Sequence, residues 1–147
     1  MIRVMTAAET IPLRHSVLRP GRPRETARFP GDDELGTRHF GAYRDGKLLA
    51  VASLFSIEMP ERPGIAAFQL RGMAAAPEAR NTGLGTALVA ACVEYAWEKE
   101  VPLLWCNARI AASEFYRKLG FGTVGGEFQI ADVGPHFRMM LRVDGRV

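Results

Sequence analysis

A chain of 147 residues, 48% apolar and 24% charged, has the length of one ordinary domain and the composition of a soluble globular protein. No segment reaches the roughly 18 consecutive apolar residues of a membrane span, which excludes a helical membrane protein. The formal charge of +3 favours acidic ligands only mildly, and nucleic-acid binding is disfavoured: Arg14, Arg19, Arg22, Arg24 and Arg28 cluster, but Pro20, Gly21 and Pro23 break the stretch and no aromatics alternate with it.

Residues 7–18 place Ile11, Leu13, Val17 and Leu18 at helical spacing, with Thr6 or Thr10 as candidate cap. Residues 19–36, rich in Pro, Gly, Arg and acidic groups, read as a loop, and its length points to a functional role. Strands follow over 39–43 and 48–55, flanking Arg44-Asp45-Gly46-Lys47, because Asp-Gly suits a type I′ turn whose two central residues take positive φ. After a second loop marked by Pro60 and Pro63, residues 66–75 form a strand. Residues 83–99 carry Leu84, Leu88, Cys92, Tyr95 and Ala96 on one helical stripe, and the helix ends before Pro102. An apolar strand over 101–106 completes a strand, helix, strand order that implies a right-handed parallel crossover. Residues 110–119 supply another helix stopped by Gly120, and 121–130 and 136–143 read as two closing antiparallel strands. The expected fold class is α/β, one domain over residues 1–147 with a central mixed sheet flanked by helices.

The opening residues lack the positive stretch and apolar core of a secretory signal, so a mature N-terminus and a cytoplasmic location are expected, without membrane association. Cys92 and Cys106 form neither a C-x-x-C pair nor a cluster with His15, His39 or His136. They read as core residues, and no metal site is expected.

The most informative stretch is Arg80-Asn81-Thr82-Gly83-Leu84-Gly85-Thr86, between the strand over 66–75 and the long helix. A helix start presents N–H groups without intrahelical partners and the positive end of the macrodipole, and glycines let a phosphate approach them closely. Two glycines there cost about 0.5–1 kcal/mol each relative to Ala in a helix interior, which favours a ligand explanation over a flexible entry with Thr82 as cap. No Lys-Ser or Lys-Thr follows to hold a Mg-bound triphosphate, and no third glycine completes a dinucleotide fingerprint.

With Arg80, Gly83 and Gly85 in the pattern Gln or Arg, two residues, Gly, one residue, Gly or Ala, the chain resembles the GNAT superfamily of N-acetyltransferases. A second match, Phe115-Tyr116-Arg117-Lys118-Leu119-Gly120-Phe121, lies about thirty residues on and looks like the helix and strand that close the family's cofactor site. The resemblance covers residues 68–141 and implies a GNAT-like fold with acetyl-coenzyme A as cosubstrate, passing its acetyl group directly to an amine of a small molecule or peptide in a ternary complex. It further implies that backbone groups of Met73, Ala74 and Ala75 pair with the pantetheine amides, one N–H polarising the thioester carbonyl. Arg80, Asn81, Thr82, Gly83, Leu84, Gly85 and Thr86 would cradle the pyrophosphate. Tyr116 would protonate the departing thiolate, as a phenol protonated at neutral pH can.

Two departures from the family stand out. The family often has Asn seven residues before the tyrosine, where this chain has Arg109, with Asn107 two positions earlier. Many relatives carry a Glu on the strand before the glycine loop, and Phe68-Gln69-Leu70-Arg71-Gly72 has none. A base must deprotonate the ammonium; His39, His136, Glu127 and Asp132 are the substitutes, with His39, Asn107 and His136 as base or acceptor contacts. Trp105, Phe137, Met139 and Met140 read as core before they read as an acceptor pocket. Residues 14–36, together with the strand beginning at Arg38-His39-Phe40, are the expected acceptor boundary, the arginines of the segment favouring an acceptor with a carboxylate or phosphate. A noncatalytic acyl-coenzyme A sensor is the alternative function. A homodimer is open, and the sequence does not identify the acceptor.

Overall fold

A computed structural model of the chain describes residues 1–144. Chain order runs β1 (Ile2–Met5), α1 (Ala7–Leu13), β2 (Arg38–Arg44), β3 (Lys47–Phe55), β4 (Ala67–Ala75), α2 (Leu84–Glu98), β5 (Leu103–Arg109), α3 (Ser113–Lys118), β6 (Gly122–Ile130) and β7 (Gly134–Arg142). The strands form one mixed sheet in the order β1-β2-β3-β4-β5-β7-β6. Ala67–Gln69 of β4 pairs in parallel with Leu103–Trp105 of β5, as the strand, helix, strand order requires, and β7 lies antiparallel to both β5 and β6. The α/β class expected from the alternation of apolar periods is the class observed.

The residues gather into two compact units. The first comprises Met1–Ser56 with Leu70–Tyr95, the second Ile57–Gln69 with the chain from Ala96 onward. In the first unit, Met5, Val51 and Ala74 pack with Leu13, Val17, Leu18, Tyr43 and Leu48, while Leu49, Ala76 and Ala79 pack with Leu84. In the second, Met59, Ala67, Leu103 and Trp105 form a cluster against Val124 and Met140. Cys92 and Cys106 are buried free thiols, and burial pushes both pKa values up to about 12, so neither is a nucleophile at neutral pH. Among the described residues no helix is long and apolar enough to cross a membrane.

The β2–β3 hairpin forms where Asp-Gly predicts it: Asp45 and Gly46 take φ of 51° and 76°, and Arg44 pairs with Lys47. The first helix departs from its expected 7–18 extent. Thr6, rather than Thr10, is the cap, in a capping box in which the Thr6 N–H donates to Glu9 and the Glu9 N–H to Thr6 Oγ1. Pro12 removes a donor from the ladder, and the helix widens into a π-turn over Arg14–Leu18. Thr10 is buried within the helix, its hydroxyl donating to the Ala7 carbonyl at 2.6 Å. Strand β1 was not anticipated; only Met5 of its four residues is buried, so it carries little apolar signal. The helix expected over 110–119 is a 3₁₀ turn, Ile110–Ala112, followed by α3.

Candidate functional site

In the first unit, β4 leads through a 3₁₀ turn, Pro77–Ala79, into the glycine loop. Ala74 is buried against Met5 and Val51, while Met73 and Ala75 are half-buried. The Ala76 N–H donates to the Leu49 carbonyl at 2.8 Å, which fixes the strand end. Thr82 Oγ1 donates to the Ala79 carbonyl and lies 3.4 Å from the Leu84 N–H, so Thr82 ties the loop to the turn rather than serving only as a helix cap.

Asn81 and Gly83 both take positive φ, 60° and 84°. Left-handed residues of this kind are a feature of the concave backbone turns that favour anions. A Cβ at Gly83 would meet nothing within 4 Å, so glycine is required there by φ and not by packing. The first i to i−4 bond of α2 runs from Ala87 to Gly83 at 3.0 Å, and the N–H groups of Gly85 and Thr86 donate to no acceptor among the described residues. Arg80, Asn81, Gly83 and Thr86 are exposed, whereas Leu84 anchors the helix start against Leu49, Ala76 and Ala79. A positively polarised, solvent-open helix start of this kind suits a phosphate.

In the second unit, α3 ends in a Schellman motif: Gly120 donates to the Arg117 carbonyl at 3.0 Å and Phe121 to the Tyr116 carbonyl at 3.1 Å. The aromatic sequence around Gly120 explains this, because the ring of Phe121 packs edge-on against Tyr116 at 5.4 Å, with Phe115 at 5.1 Å on the other side. Tyr116 is 5% exposed and held from both its ring and its backbone. Asn107 Oδ1 accepts from Arg138 Nε at 3.1 Å across the β5–β7 ladder. Arg138 also grips Glu61 through Nη1 at 3.1 and 2.9 Å and stacks on Trp105 and Phe128. Asn107 therefore spends its carbonyl on Arg138. His136 is 4% exposed, and its Nδ1 lies 2.8 Å from the Gly134 carbonyl, so Nδ1 carries the proton and Nε2 the lone pair. Glu127 and Asp132 are exposed, and Trp105 donates from its indole to the Ile57 carbonyl at 2.8 Å.

Two expectations about the first unit need correction. Arg14 does not belong to an exposed basic loop: it is fully buried, donating from Nη1 and Nη2 to Asp32 at 2.8 and 3.0 Å and further to the Ala27 carbonyl and Ser53 Oγ. Asp32 is consumed by the same pair and accepts from the Phe29 N–H at 2.9 Å. His39 is not free to act as a base. Its Nε2 faces the Asp32 carbonyl at 3.0 Å and must donate, while its Nδ1 accepts from Ser53, whose oxygen in turn receives Arg14. Both imidazole nitrogens are thus committed to a buried network.

Gly72, φ 66°, lets β4 press onto this network; a Cβ there would lie 2.9 Å from Arg14 Nε and 3.1 Å from the Phe29 ring. Because Arg14 is pinned by Asp32 and cannot swing aside, Gly72→Ala is expected to lower stability by ~2–3 kcal/mol, combining left-handed strain with displacement of the pair. Urea denaturation checks this, and a loss below about 0.5 kcal/mol would mean that the network yields freely.

Met73, Ala74, Ala75 and residues 80–86 thus fall in the first unit, and Tyr116, Asn107 and His136 in the second. Sequence reading missed Arg138, Glu61 and the buried role of Asp32, whose partners lie 77 and 18 residues away. Among the described residues no cluster of three His, Cys, Asp or Glu can hold a metal ion.

Residues 7–121 match the family model described as acetyltransferase (GNAT) family. The chain is 31% identical over 138 residues to an uncharacterized N-acetyltransferase, YitI, of Bacillus subtilis (strain 168), covering 94% of this chain and 93% of that protein. Among solved structures, an aminoglycoside 6′-N-acetyltransferase complexed with coenzyme A superposes with a TM-score of 0.78 at 14% identity, covering 97% of each chain. FeeM, an N-acyl amino acid synthase from uncultured soil microbes, superposes with a TM-score of 0.76 at 15% identity, covering 98% of this chain and 91% of that one. At such identities these two likenesses speak for the fold.

Proposed function

This chain belongs to the acetyltransferase (GNAT) family, and from that premise we propose that it transfers an acetyl group from acetyl-coenzyme A to an amine by direct attack in a ternary complex. The observation that carries the reading is the paired left-handed turn at Asn81 and Gly83 ahead of α2, which leaves the Gly85 and Thr86 N–H groups available to a pyrophosphate. Arg80 adds a formal positive charge at the rim. That donor set suits coenzyme A, the ligand bound in the superposed aminoglycoside acetyltransferase.

In this reading the backbone of Met73, Ala74 and Ala75 aligns the pantetheine arm, and one N–H stabilises negative charge growing on the thioester oxygen. The amine nitrogen bonds to the acyl carbon, the carbon–sulfur bond breaks, and the electron pair leaves on sulfur. Tyr116 donates its proton to that sulfur, and the proton shed by the newly acylated nitrogen restores the phenol. His136 receives the ammonium proton through Nε2; of the four bases weighed, His39 is committed at both nitrogens, Glu127 and Asp132 are exposed, and His136 keeps a lone pair beside the strand of Asn107.

Thiol release from acetyl-coenzyme A across polyamines, amino acids, aminoglycosides and peptide N-termini tests the activity. Release dependent on one amine class is the expected result, and coenzyme A binding with no release would identify a sensor. Gly83→Val tests the cofactor location: a β-branched residue cannot hold φ near 84° without strain, so coenzyme A affinity should fall at least about tenfold, a loss of ~1.4 kcal/mol. Unchanged affinity by calorimetry in a folded variant would move the site elsewhere.

A further inference from the structure

We propose that Arg71 is an anion-recognition residue for the acceptor, so that the acylated amine carries a carboxylate or phosphate on the same molecule. Resting on the acyl-transfer reading above, this names the acceptor's chemical class.

In the first unit, three cations converge on one aromatic ring. The guanidinium carbons of Arg14, Arg71 and Arg19 lie 4.1, 5.0 and 5.7 Å from the Phe29 ring centroid, and Arg71 also stacks 5.0 Å over Phe55. Asp32 serves Arg14 with both oxygens and takes the Phe29 N–H besides, so its acceptor capacity is largely spent. Arg22, Arg24 and Arg28 are exposed. Arg71 itself makes no hydrogen bond and no ion pair among the described residues.

Half-buried, Arg71 is pushed below the usual arginine pKa, first by burial and next by the charge of Arg14. An arginine nevertheless stays charged at neutral pH. The fold therefore holds a cation without a hydrogen-bonded counterion, compensated by two aromatic rings and by the more distant charge of Asp32, which Arg14 already engages. The rings take no hydrogen bond from the guanidinium, so its N–H groups remain for a ligand, and they form a fork matched to carboxylate or phosphate oxygens. No nitrogen of Arg71 is sealed from solvent without a partner; the sole such atom among the described residues is Arg14 Nε.

Position completes the case. Arg71 precedes Met73 by two residues on β4, with the left-handed Gly72 between them, and Met73, Ala74 and Ala75 are the backbone assigned to the thioester. One small molecule can place an amine at that backbone and an anionic group at the fork.

The experiment compares, by thiol release, the twenty amino acids with their carboxamides, O-phosphoethanolamine with ethanolamine, and spermidine, using the unmodified protein, Arg71→Gln and Arg71→Lys. A charge-assisted bidentate bond predicts an acid-to-amide or phosphate-to-alcohol ratio in kcat/KM of about 10- to 100-fold. Which pair shows it separates the two anions. The ratio should fall to about 1 in Arg71→Gln, stay intermediate in Arg71→Lys, and leave KM for acetyl-coenzyme A unchanged. Taken on one preparation, the ratio cancels any loss of folded protein, so a purely structural Arg71 would lower stability and leave it untouched. A native preference for amides or spermidine, or a ratio unmoved in Arg71→Gln, overturns the proposal while transfer itself stands. Absence of transfer to every amine sinks the acyl-transfer reading; calorimetry with the same acid and amide pairs then decides Arg71 separately, equal binding of both overturning it.

Discussion

Tyr116→Phe will lower kcat by about 10²- to 10⁴-fold while changing KM for acetyl-coenzyme A by no more than a few-fold. The range is that of a positioned general acid. The variant isolates the hydroxyl because everything else that holds the ring survives: the edge contacts to Phe115 and Phe121 are made by the ring, and the Schellman bond from Phe121 ends on the backbone carbonyl. Turnover lost far out of proportion to stability is therefore the signature, and it differs from that of a packing residue, for which melting temperature and rate would fall together. The effect should shrink for an acyl donor whose thiol leaves as a weak base, since that leaving group needs no proton. Full activity in Tyr116→Phe would return this side chain to the core, and a uniform loss across leaving groups would assign it to acyl positioning rather than proton donation.

What the sequence disclosed and what it hid divide along range. The Asp45-Gly46 turn, the stripe of α2 and the stop at Gly120 are local: each is written in neighbouring residues whose φ preferences or spacing decide the outcome. The glycine loop was legible for the same reason, since Asn81 and Gly83 are residues that tolerate positive φ, next to a helix with no other use for glycine. Strand β1 was hidden because its register with Ala42, Gly41, Phe40 and His39 is set across nearly forty residues and buries only Met5. Arg14 and His39 were misread for the opposite reason. An arginine amid prolines and further arginines looks solvated, and a histidine at a strand start looks available, until Asp32 and Ser53 arrive from elsewhere to occupy them. Polar residues buried by tertiary pairing leave no periodic mark, so Arg71 could be seen only as a missing Glu, not as a cation held on two rings.

Removing one partner of the Arg14–Asp32 pair will cost about 3–5 kcal/mol, because the survivor is a buried charge without compensation. For a chain of this length that corresponds to a fall of roughly 10 °C in Tm for Arg14→Met or Asp32→Asn. The double variant Arg14→Met, Asp32→Leu should recover most of the loss, since apolar replacement of both partners removes the uncompensated charge; a double-mutant cycle measures the coupling. The pair also predicts a pH dependence. Burial acts to raise the Asp32 pKa, but hydrogen bonds from Arg14 and the Phe29 N–H, with the charge of Arg14, outweigh it and hold the carboxyl below its ordinary value. A folded-state pKa below the unfolded one of about 3.9 means that the unfolded chain binds the proton first on acidification. The contribution of Asp32 is thus complete above about pH 5 and is lost as pH falls through the folded value. Glu9 and Glu78, exposed and also lowered by their hydrogen bonds, titrate in the same direction, so the measurement is a difference. Urea midpoints taken from pH 7 to pH 3 should converge between the native protein and Asp32→Asn as the carboxyl is protonated. A gap that stays constant to pH 3 would mean that Asp32 has the same pKa folded and unfolded, so that the loss in Asp32→Asn would come from the altered hydrogen bonding and not from a preferentially stabilised carboxylate.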